Sequence, residues 1–106
     1  YEGVADDLDE RTRIVASLGQ NNALILRNHG LLTCGKTVSQ AFLLMRNLEK
    51  SCKTQLAAMA SGGTLIKLSP NLMEHAAGQF DNVDGRANGW PSLLTMLDGI
   101  DLSYRN

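Results

Sequence analysis

The apolar positions at the start of the chain predict an amphipathic helix. Apolar residues form a stripe when the segment is drawn with 3.6 residues per turn: Leu8, Ile14, Val15 and Leu18. Asp7 can cap the first turn, and Gly19 can end the last one. The pattern therefore predicts a helix from Asp7 to Leu18, followed by a polar turn.

Two short and largely apolar runs follow, Ala23–Leu26 and Leu31–Cys34. Each is bounded by turn residues, which is typical of a strand that is covered on both faces. Asn28-His29-Gly30 lies between them, and Gly30 can adopt the positive φ that a tight reversal requires. The sequence predicts a hairpin or a bulged strand pair with the histidine at its turn.

The longest helix is predicted from Val38 to about Ala60. Thr37 and Gln40 fit a capping box, in which the threonine oxygen caps the first turn and the glutamine reaches back. Gly62-Gly63 is predicted to end the helix. A phosphate-binding loop is the alternative for this pair, but such a loop follows a strand and no strand precedes it here. Apolar residues recur along the helix at helical steps, and we expect them to form core packing: Val38, Phe42, Met45, Leu48, Cys52, Leu56 and Met59.

The last third of the chain predicts two shorter helices. Ser69-Pro70 has the form of an N-cap followed by proline at the first helical position, so a helix should run to about Phe80. Residues 81–89 are rich in Asp, Asn and Gly and should form a loop. A further helix is predicted over Pro91–Leu97, and Leu102–Asn106 should be an ordinary disordered end.

This layout has more apolar surface than it can cover. Two short strands do not make a stable isolated sheet, and a domain of this size buries only about 60 to 65% of its unfolded surface. We therefore expect strands from elsewhere, in the same protein or in a partner, to complete the sheet. The first residue is Tyr1 rather than Met, as in a fragment of a longer chain or a processed protein.

Composition and charge exclude several classes of protein. The chain has 106 residues, 43% of them hydrophobic and 20% charged, which predicts one ordinary globular domain. A net charge of -1 with scattered basic residues argues against nucleic acid as a partner. No apolar run approaches the roughly 20 residues of a membrane helix. The acidic start lacks the apolar middle of a signal peptide, so we expect a cytoplasmic protein without membrane contact.

Few other side chains suggest chemistry. We expect Cys34 and Cys52 to be buried free thiols rather than a disulfide. His75 should be a solvated residue on the surface of its helix. The early acidic residues are expected to complement the helix dipole rather than to bind a cation: Asp6, Asp7, Asp9 and Glu10.

The order of motifs from Leu26 to Ala58 is distinctive. A buried strand is followed by an Asn-His-Gly turn, and a second apolar run ends on glycine. A Thr-capped helix comes next and contains an Ala-Phe pair and a Ser-Cys pair. The residues are Asn28-His29-Gly30, Gly35, Thr37, Ala41-Phe42 and Ser51-Cys52. This pattern resembles the C-terminal half of the class II aldolase/adducin domain. The resemblance runs from Tyr1 to about Ser61, and Leu97–Arg105 is similar to the tails of bacterial members.

The resemblance implies an α/β protein, a three-layer α/β/α sandwich with a mostly antiparallel sheet. Residues 1–106 would be the C-terminal part of a single domain, with its core in 1–66 and a helical extension in 67–106. Family members of this type form homo-oligomers with sites at subunit interfaces. Tyr104 is a weaker candidate for binding substrate there, because family tails lie near those interfaces.

The resemblance also implies metal chemistry. In the family's aldolases and epimerases, a His-x-His pair and the histidine of Asn-His-Gly bind a divalent cation, usually zinc, which polarises the oxygens of a small hydroxy-carbonyl, sugar phosphate-like substrate. His29 is the matching ligand here, although a structural turn histidine bonded to backbone is the alternative. The chain has no His-x-His and no matching upstream acid, and a catalytic zinc takes about three protein ligands.

Two functional hypotheses follow. The chain is either part of a metal-dependent class II aldolase or epimerase-like lyase, inactive alone because its metal site is incomplete, or an adducin-like non-catalytic module for protein interaction and oligomerisation. The first hypothesis requires His29 to face a space in which a cation and a substrate could bind.

Overall fold

The structure is a computed structural model that describes residues 8–81 and 89–105. The chain divides into two compact units, Tyr1–Ala57 and Ala58–Asn106. In chain order the elements are α1 (Leu8–Leu18), β1 (Ala23–Leu26), β2 (Gly30–Thr33), α2 (Val38–Ala60), α3 (Pro70–Asp81), α4 (Trp90–Asp98) and a 3-10 helix (Ser103–Arg105).

Helix α1 follows the predicted bounds closely and packs on β1, but Val15 of its predicted apolar stripe is 68% exposed. The predicted cap, Asp7, lies outside the described residues. At the other end, the Gly19 N–H donates to the Val15 carbonyl at 3.0 Å, and Gly19 has a φ of 56°. A left-handed residue at this position is a common way to end a helix, so the predicted stop is confirmed.

The predicted hairpin is confirmed, with its second strand one residue earlier than expected. β1 and β2 are antiparallel, and Leu26 is paired with Gly30 at the turn end. Because Gly30 enters the ladder, Cys34 lies beyond the strand. Its N–H instead donates to the carbonyl of Asn22 at 2.9 Å, which closes the base of the hairpin.

The turn itself differs from the prediction. The positive φ falls on Asn28, at 58°, and not on Gly30, which pairs in the sheet. The His29 N–H donates to the Leu26 carbonyl at 3.1 Å, so Asn28 occupies the third position of a four-residue turn. Positive φ at that position is the type II pattern, which asparagine tolerates better than most residues.

Helix α2 has the predicted bounds and the predicted cap. The Gln40 N–H donates to Thr37 Oγ1 at 3.2 Å. The glutamine side chain reaches back one residue further than a standard capping box, since its Oε1 accepts from the Lys36 N–H at 2.6 Å. Gly62, with a φ of 72°, follows the helix end at Ala60 and confirms the predicted stop.

A close backbone contact joins the hairpin to α2. Thr33 Oγ1 donates to the Ala41 carbonyl at 2.9 Å. A Cβ on Gly35 would lie only 2.7 Å from the backbone nitrogen of Ala41. Position 35 therefore requires glycine, which gives the glycine at the end of the second apolar run a steric reason.

The predicted core of α2 is largely wrong. Among the described residues, Leu43 is the one buried side chain, at 7% exposure, and it was not in the predicted stripe. Met45, Leu48 and Cys52 are half-buried. The other members of the stripe are exposed: Val38, Phe42, Leu56 and Met59. The periodicity identified an apolar face of α2, but it does not show whether other parts of the protein cover that face.

Both cysteines are free, as predicted. Their predicted burial is wrong for Cys34, which is exposed, and Cys52 is half-buried. Cys34 follows β2 and therefore lacks the cover that a strand position would give.

The second unit contains the remaining helices. The Leu72 N–H donates to Ser69 Oγ at 3.3 Å, which confirms the predicted cap, and α3 extends one residue past Phe80. The predicted loop lies mostly outside the described residues, although Gly89, with a φ of 87°, precedes α4. No helix in the described part of the chain is long and apolar enough to cross a membrane.

Candidate functional site

His29 lies at the end of the hairpin turn, immediately before β2. Its backbone N–H closes the turn on Leu26, and its side chain is exposed. His29 is one of the residues that line a surface cleft in the first unit. Burial of the imidazole among apolar side chains would have excluded a role as a metal ligand. The side chain of His29 is exposed instead.

The cleft has a volume of about 290 Å³ and is built by α1, β1 and the turn. Its apolar lining residues come from β1 and α1, and its charged lining residues come from α1 and the turn. Its lining residues are Glu10, Arg13, Ile14, Ser17, Leu24, Ile25, Leu26, Arg27 and His29. Of these lining residues, the sequence motif identified His29 alone as a site residue, because no motif connects the turn to residues of α1.

Glu10 is the acidic side chain that shares this cleft. The sequence predicted that it complements the dipole of α1, and it does lie in the first turn of that helix. Glu10 therefore lines the same cleft as His29 and two arginines, Arg13 and Arg27. Asp6 and Asp7, grouped with it in the sequence, lie outside the described residues.

The described residues do not make a complete metal site. Within residues 8–81 and 89–105, no three His, Cys, Asp or Glu side chains come together as metal ligands would. His29 and Glu10 both line the cleft, but a catalytic zinc needs about three protein ligands. His75 is exposed on α3 of the second unit, as predicted for a solvated residue. The described residues therefore bring one imidazole to the cleft and do not by themselves fit a catalytic zinc.

The other sequence candidate, Tyr104, lies in a side-chain network of the second unit. Its hydroxyl donates to Asp98 Oδ1 at 2.5 Å and accepts from Arg105 Nε at 3.3 Å. Arg105 also forms an ion pair with Asp98 and lies 5.8 Å from the centre of the Tyr104 ring. The predicted disordered end is thus wrong, because residues 103–105 form a 3-10 helix held against the end of α4.

Asp101 lies two residues before this 3-10 helix and accepts hydrogen bonds from its first residue. Its two carboxylate oxygens accept from the Ser103 N–H and from Ser103 Oγ, each at 2.8 Å. The backbone hydrogen bond from Ser103, with the hydroxyl bond beside it, lowers the pKa of Asp101. The hydrogen bond from Arg105 to Tyr104, with the negative charge of Asp98 nearby, raises the pKa of Arg105. These contacts order the tail within the second unit.

Comparison with known proteins decides the family. The model of the Class II Aldolase and Adducin N-terminal domain matches residues 1–56, which include the cleft, the hairpin and most of α2. The chain belongs to this family. The family predicted from the Asn-His-Gly segment is therefore confirmed.

Relatives of two kinds match nearly the whole chain. A class 2 aldolase-like protein of Pseudomonas aeruginosa is 39% identical over 99% of this chain, which spans 43% of that protein. Alpha-adducin of Rattus norvegicus is 32% identical, again over 99% of this chain but only 16% of its own length. The chain thus spans less than half the length of these relatives, and aldolase-like and adducin members are both similar to it.

A solved structure matches the fold. The crystal structure of an aldolase II superfamily protein from Pseudomonas syringae has a TM-score of 0.81 and 39% identity, and it covers 100% of this chain and 44% of its own. Helices with a small antiparallel sheet, as described above, agree with the predicted α/β class.

Proposed function

We propose that this chain is the C-terminal part of one class II aldolase-type domain, with its core in residues 1–66 and a helical extension in 67–106. The whole protein would be a metal-dependent lyase or epimerase acting on small hydroxy-carbonyl compounds, among them sugar phosphates. The observation that supports this most is the position of His29, the motif histidine, at a turn that lines a cleft. The complete domain would be a three-layer α/β/α sandwich with a mostly antiparallel sheet.

His29 would act as one donor of a shared metal site. A neutral imidazole on a short, backbone-closed turn is a suitable zinc ligand, and the Leu26 carbonyl fixes the turn through the His29 N–H. The other donors, and the group that handles the proton, would come from residues outside this sequence or from a partner subunit. When bound, a divalent cation, zinc by our inference, supplies Lewis-acid polarisation of the substrate oxygens. Alone, this chain should not catalyse the reaction.

Exposed apolar residues support assembly into a homo-oligomer or with further strands. Ile25, in the middle of β1, is 66% exposed, and a two-stranded sheet is marginal in water without further cover. Phe42 and Leu56 add exposed apolar surface on α2. Two free cysteines fit a reducing compartment, and we place the protein in the cytoplasm.

The second candidate function is an adducin-like module that binds other proteins or copies of itself. The match to alpha-adducin over 99% of this chain favours it, as does the incomplete ligand set among the described residues. In this case His29 would be a structural residue of the turn.

Metal analysis of the complete gene product separates the two candidates. We expect about one zinc per chain after purification without chelators, lost in His29→Ala and retained in His75→Ala. His75 is the matched control because it is the other histidine and is exposed on α3. A wild-type protein that binds no divalent metal would reject the enzyme and favour the module.

A further inference from the structure

We propose that Asn28 is the positioning residue for His29, and that it acts through its left-handed backbone conformation rather than through its side-chain amide. The proposal rests on the proposed function, in which His29 is a metal donor. It goes beyond that function because it names the residue that sets where His29 is presented and the substitutions that the turn accepts there.

The turn leaves the chain little freedom. Leu26 pairs with Gly30, so residues 27–29 alone connect the two strands. Within this connection the His29 N–H donates to the Leu26 carbonyl at 3.1 Å. Asn28 lies between these points and has a φ of 58°. The direction in which the backbone leaves Asn28 therefore sets the direction in which it enters His29 and β2.

The backbone of Asn28 is in a conformation that the rest of the described chain leaves to glycine. Among the described residues, Asn28 is the one non-glycine residue with a positive φ. The others with this conformation are Gly19, Gly62 and Gly89, each near a helix end. A Cβ is crowded by the backbone there, and asparagine and aspartate tolerate the conformation better than other residues with a side chain.

The side chain of Asn28 is not what holds the turn. It is exposed, and its amide makes no hydrogen bond within the described residues. The contact that closes the turn runs between backbone groups of His29 and Leu26. The property of Asn28 that the turn uses is therefore its backbone conformation.

Substitutions at position 28 should then follow backbone preference. Glycine adopts a positive φ without steric cost, alanine resists it, and β-branched valine resists it most. A residue that relaxes to negative φ would open the turn, release the His29 N–H from Leu26 and displace the imidazole. Metal–ligand distances are held within about 0.2 Å of their ideal values, so a small displacement weakens binding.

The test compares three variants of the complete gene product, Asn28→Gly, Asn28→Ala and Asn28→Val. We expect zinc affinity to stay within about threefold in the glycine variant, to fall about three- to tenfold with alanine and to fall more than tenfold with valine. Exchange of the His29 amide with solvent, measured by NMR without metal, should become faster in the same order. A role for the side chain predicts another order, in which glycine is as harmful as valine.

Gly62→Ala is the matched control, because it introduces the same kind of backbone strain in the second unit. Gly62 has a φ of 72°, and a Cβ there meets open space. The urea midpoint should fall as it does in Asn28→Ala, while zinc affinity and exchange of the His29 amide stay as in the wild type. Equal losses of zinc affinity in Gly62→Ala and Asn28→Ala would overturn the proposal, since overall stability would then explain both.

The same measurements separate this proposal from the metal hypothesis. Zinc binding by the wild type with equal affinity in all three position-28 variants, or a glycine variant as weak as valine, would overturn only the role of Asn28. A wild type that binds no zinc would overturn the proposed function instead. Exchange of the His29 amide then decides on Asn28 alone: slow exchange in the wild type and Asn28→Gly, with faster exchange in Asn28→Val, supports it, and equal rates overturn it.

Discussion

The turn that holds His29 and the tail that holds Tyr104 are positioned in different ways. At the turn, backbone groups fix the geometry: the His29 N–H bonds to Leu26, and Asn28 takes the left-handed conformation. At the tail, side chains fix it, since Asp98 accepts from Tyr104 and pairs with Arg105.

This difference matters for function. The backbone hydrogen bond of His29 fixes the turn from which this residue lines the cleft. The Tyr104 hydroxyl, in contrast, is part of the network that orders its own helix. Reaching a neighbouring subunit, the role predicted for Tyr104, would require it to leave Asp98.

The largest effect is expected at the backbone contact behind the turn. Gly35→Ala would place a Cβ 2.7 Å from the Ala41 nitrogen, and backbone cannot move aside as a side chain can. We expect the free energy of unfolding to fall by about 1–3 kcal/mol, measured by urea denaturation. Gly78→Ala in α3 is the control, because a Cβ there meets open space and should stabilise the helix by about 0.5–1 kcal/mol. Equal effects of the two substitutions would contradict the steric argument.

A smaller and local effect is expected at the tail. Asp98→Ala removes both the acceptor for Tyr104 and the partner of Arg105. The Arg105 amide, which donates to the Leu102 carbonyl at 3.1 Å, should then exchange with solvent about two to five times faster. Asp98→Asn keeps one oxygen acceptor and should have an intermediate rate. Unchanged exchange in Asp98→Ala would mean that backbone bonds alone order the tail.

Acid should weaken the hydrogen bonds between Asp101 and Ser103 at the start of the tail. Hydrogen bonds from Ser103 hold the pKa of Asp101 below its ordinary value of 3.8. The stabilisation is therefore present above pH 3.8 and is lost as the pH falls through the lower, folded value. We expect the Ser103 amide shift to titrate with a midpoint below 3.8, and to lose this titration in Asp101→Asn. A midpoint above 3.8 would contradict the expected direction of the pKa shift of Asp101.

The smallest effect is expected at a surface ion pair on α2. Lys53 Nζ lies 2.8 Å from Glu49 Oε1, and both side chains are largely exposed. The hydrogen bond and charge of Glu49 raise the pKa of Lys53, but solvent screens such pairs. Glu49→Gln should leave the urea midpoint unchanged within error. A clear shift would show that the exposed side of α2 has a role in folding or assembly.

Local signals in the sequence predicted the elements of the fold well. Thr37 and Ser69 cap their helices as expected, and the two apolar runs form the hairpin. The error in the hairpin turn arose because two residues, Asn28 and Gly30, could each have taken the positive φ. Gly30 was expected to take the positive φ, but it pairs with Leu26 and leaves that conformation to Asn28.

Burial and the candidate site were less predictable, because both depend on which segments meet. Leu43 and Phe42 are adjacent and similarly apolar, yet the first is 7% exposed and the second 49%. The motif identified His29, but Glu10 and Arg13, which line the same cleft, come from α1 and join it only in the folded chain. No spacing rule joins residues of α1 to the turn.

The central claim is that the His29 ring is a metal donor, and the most direct measurement follows its nitrogens. The complete gene product, labelled with nitrogen-15 in histidine and freed of metal, is titrated with zinc while the ring signals of both histidines are recorded. The account predicts that the His29 ring changes with a stoichiometry of about one zinc per chain and that the His75 ring does not. A His29 ring that is unaffected at that stoichiometry, or that responds no more than His75, would contradict it.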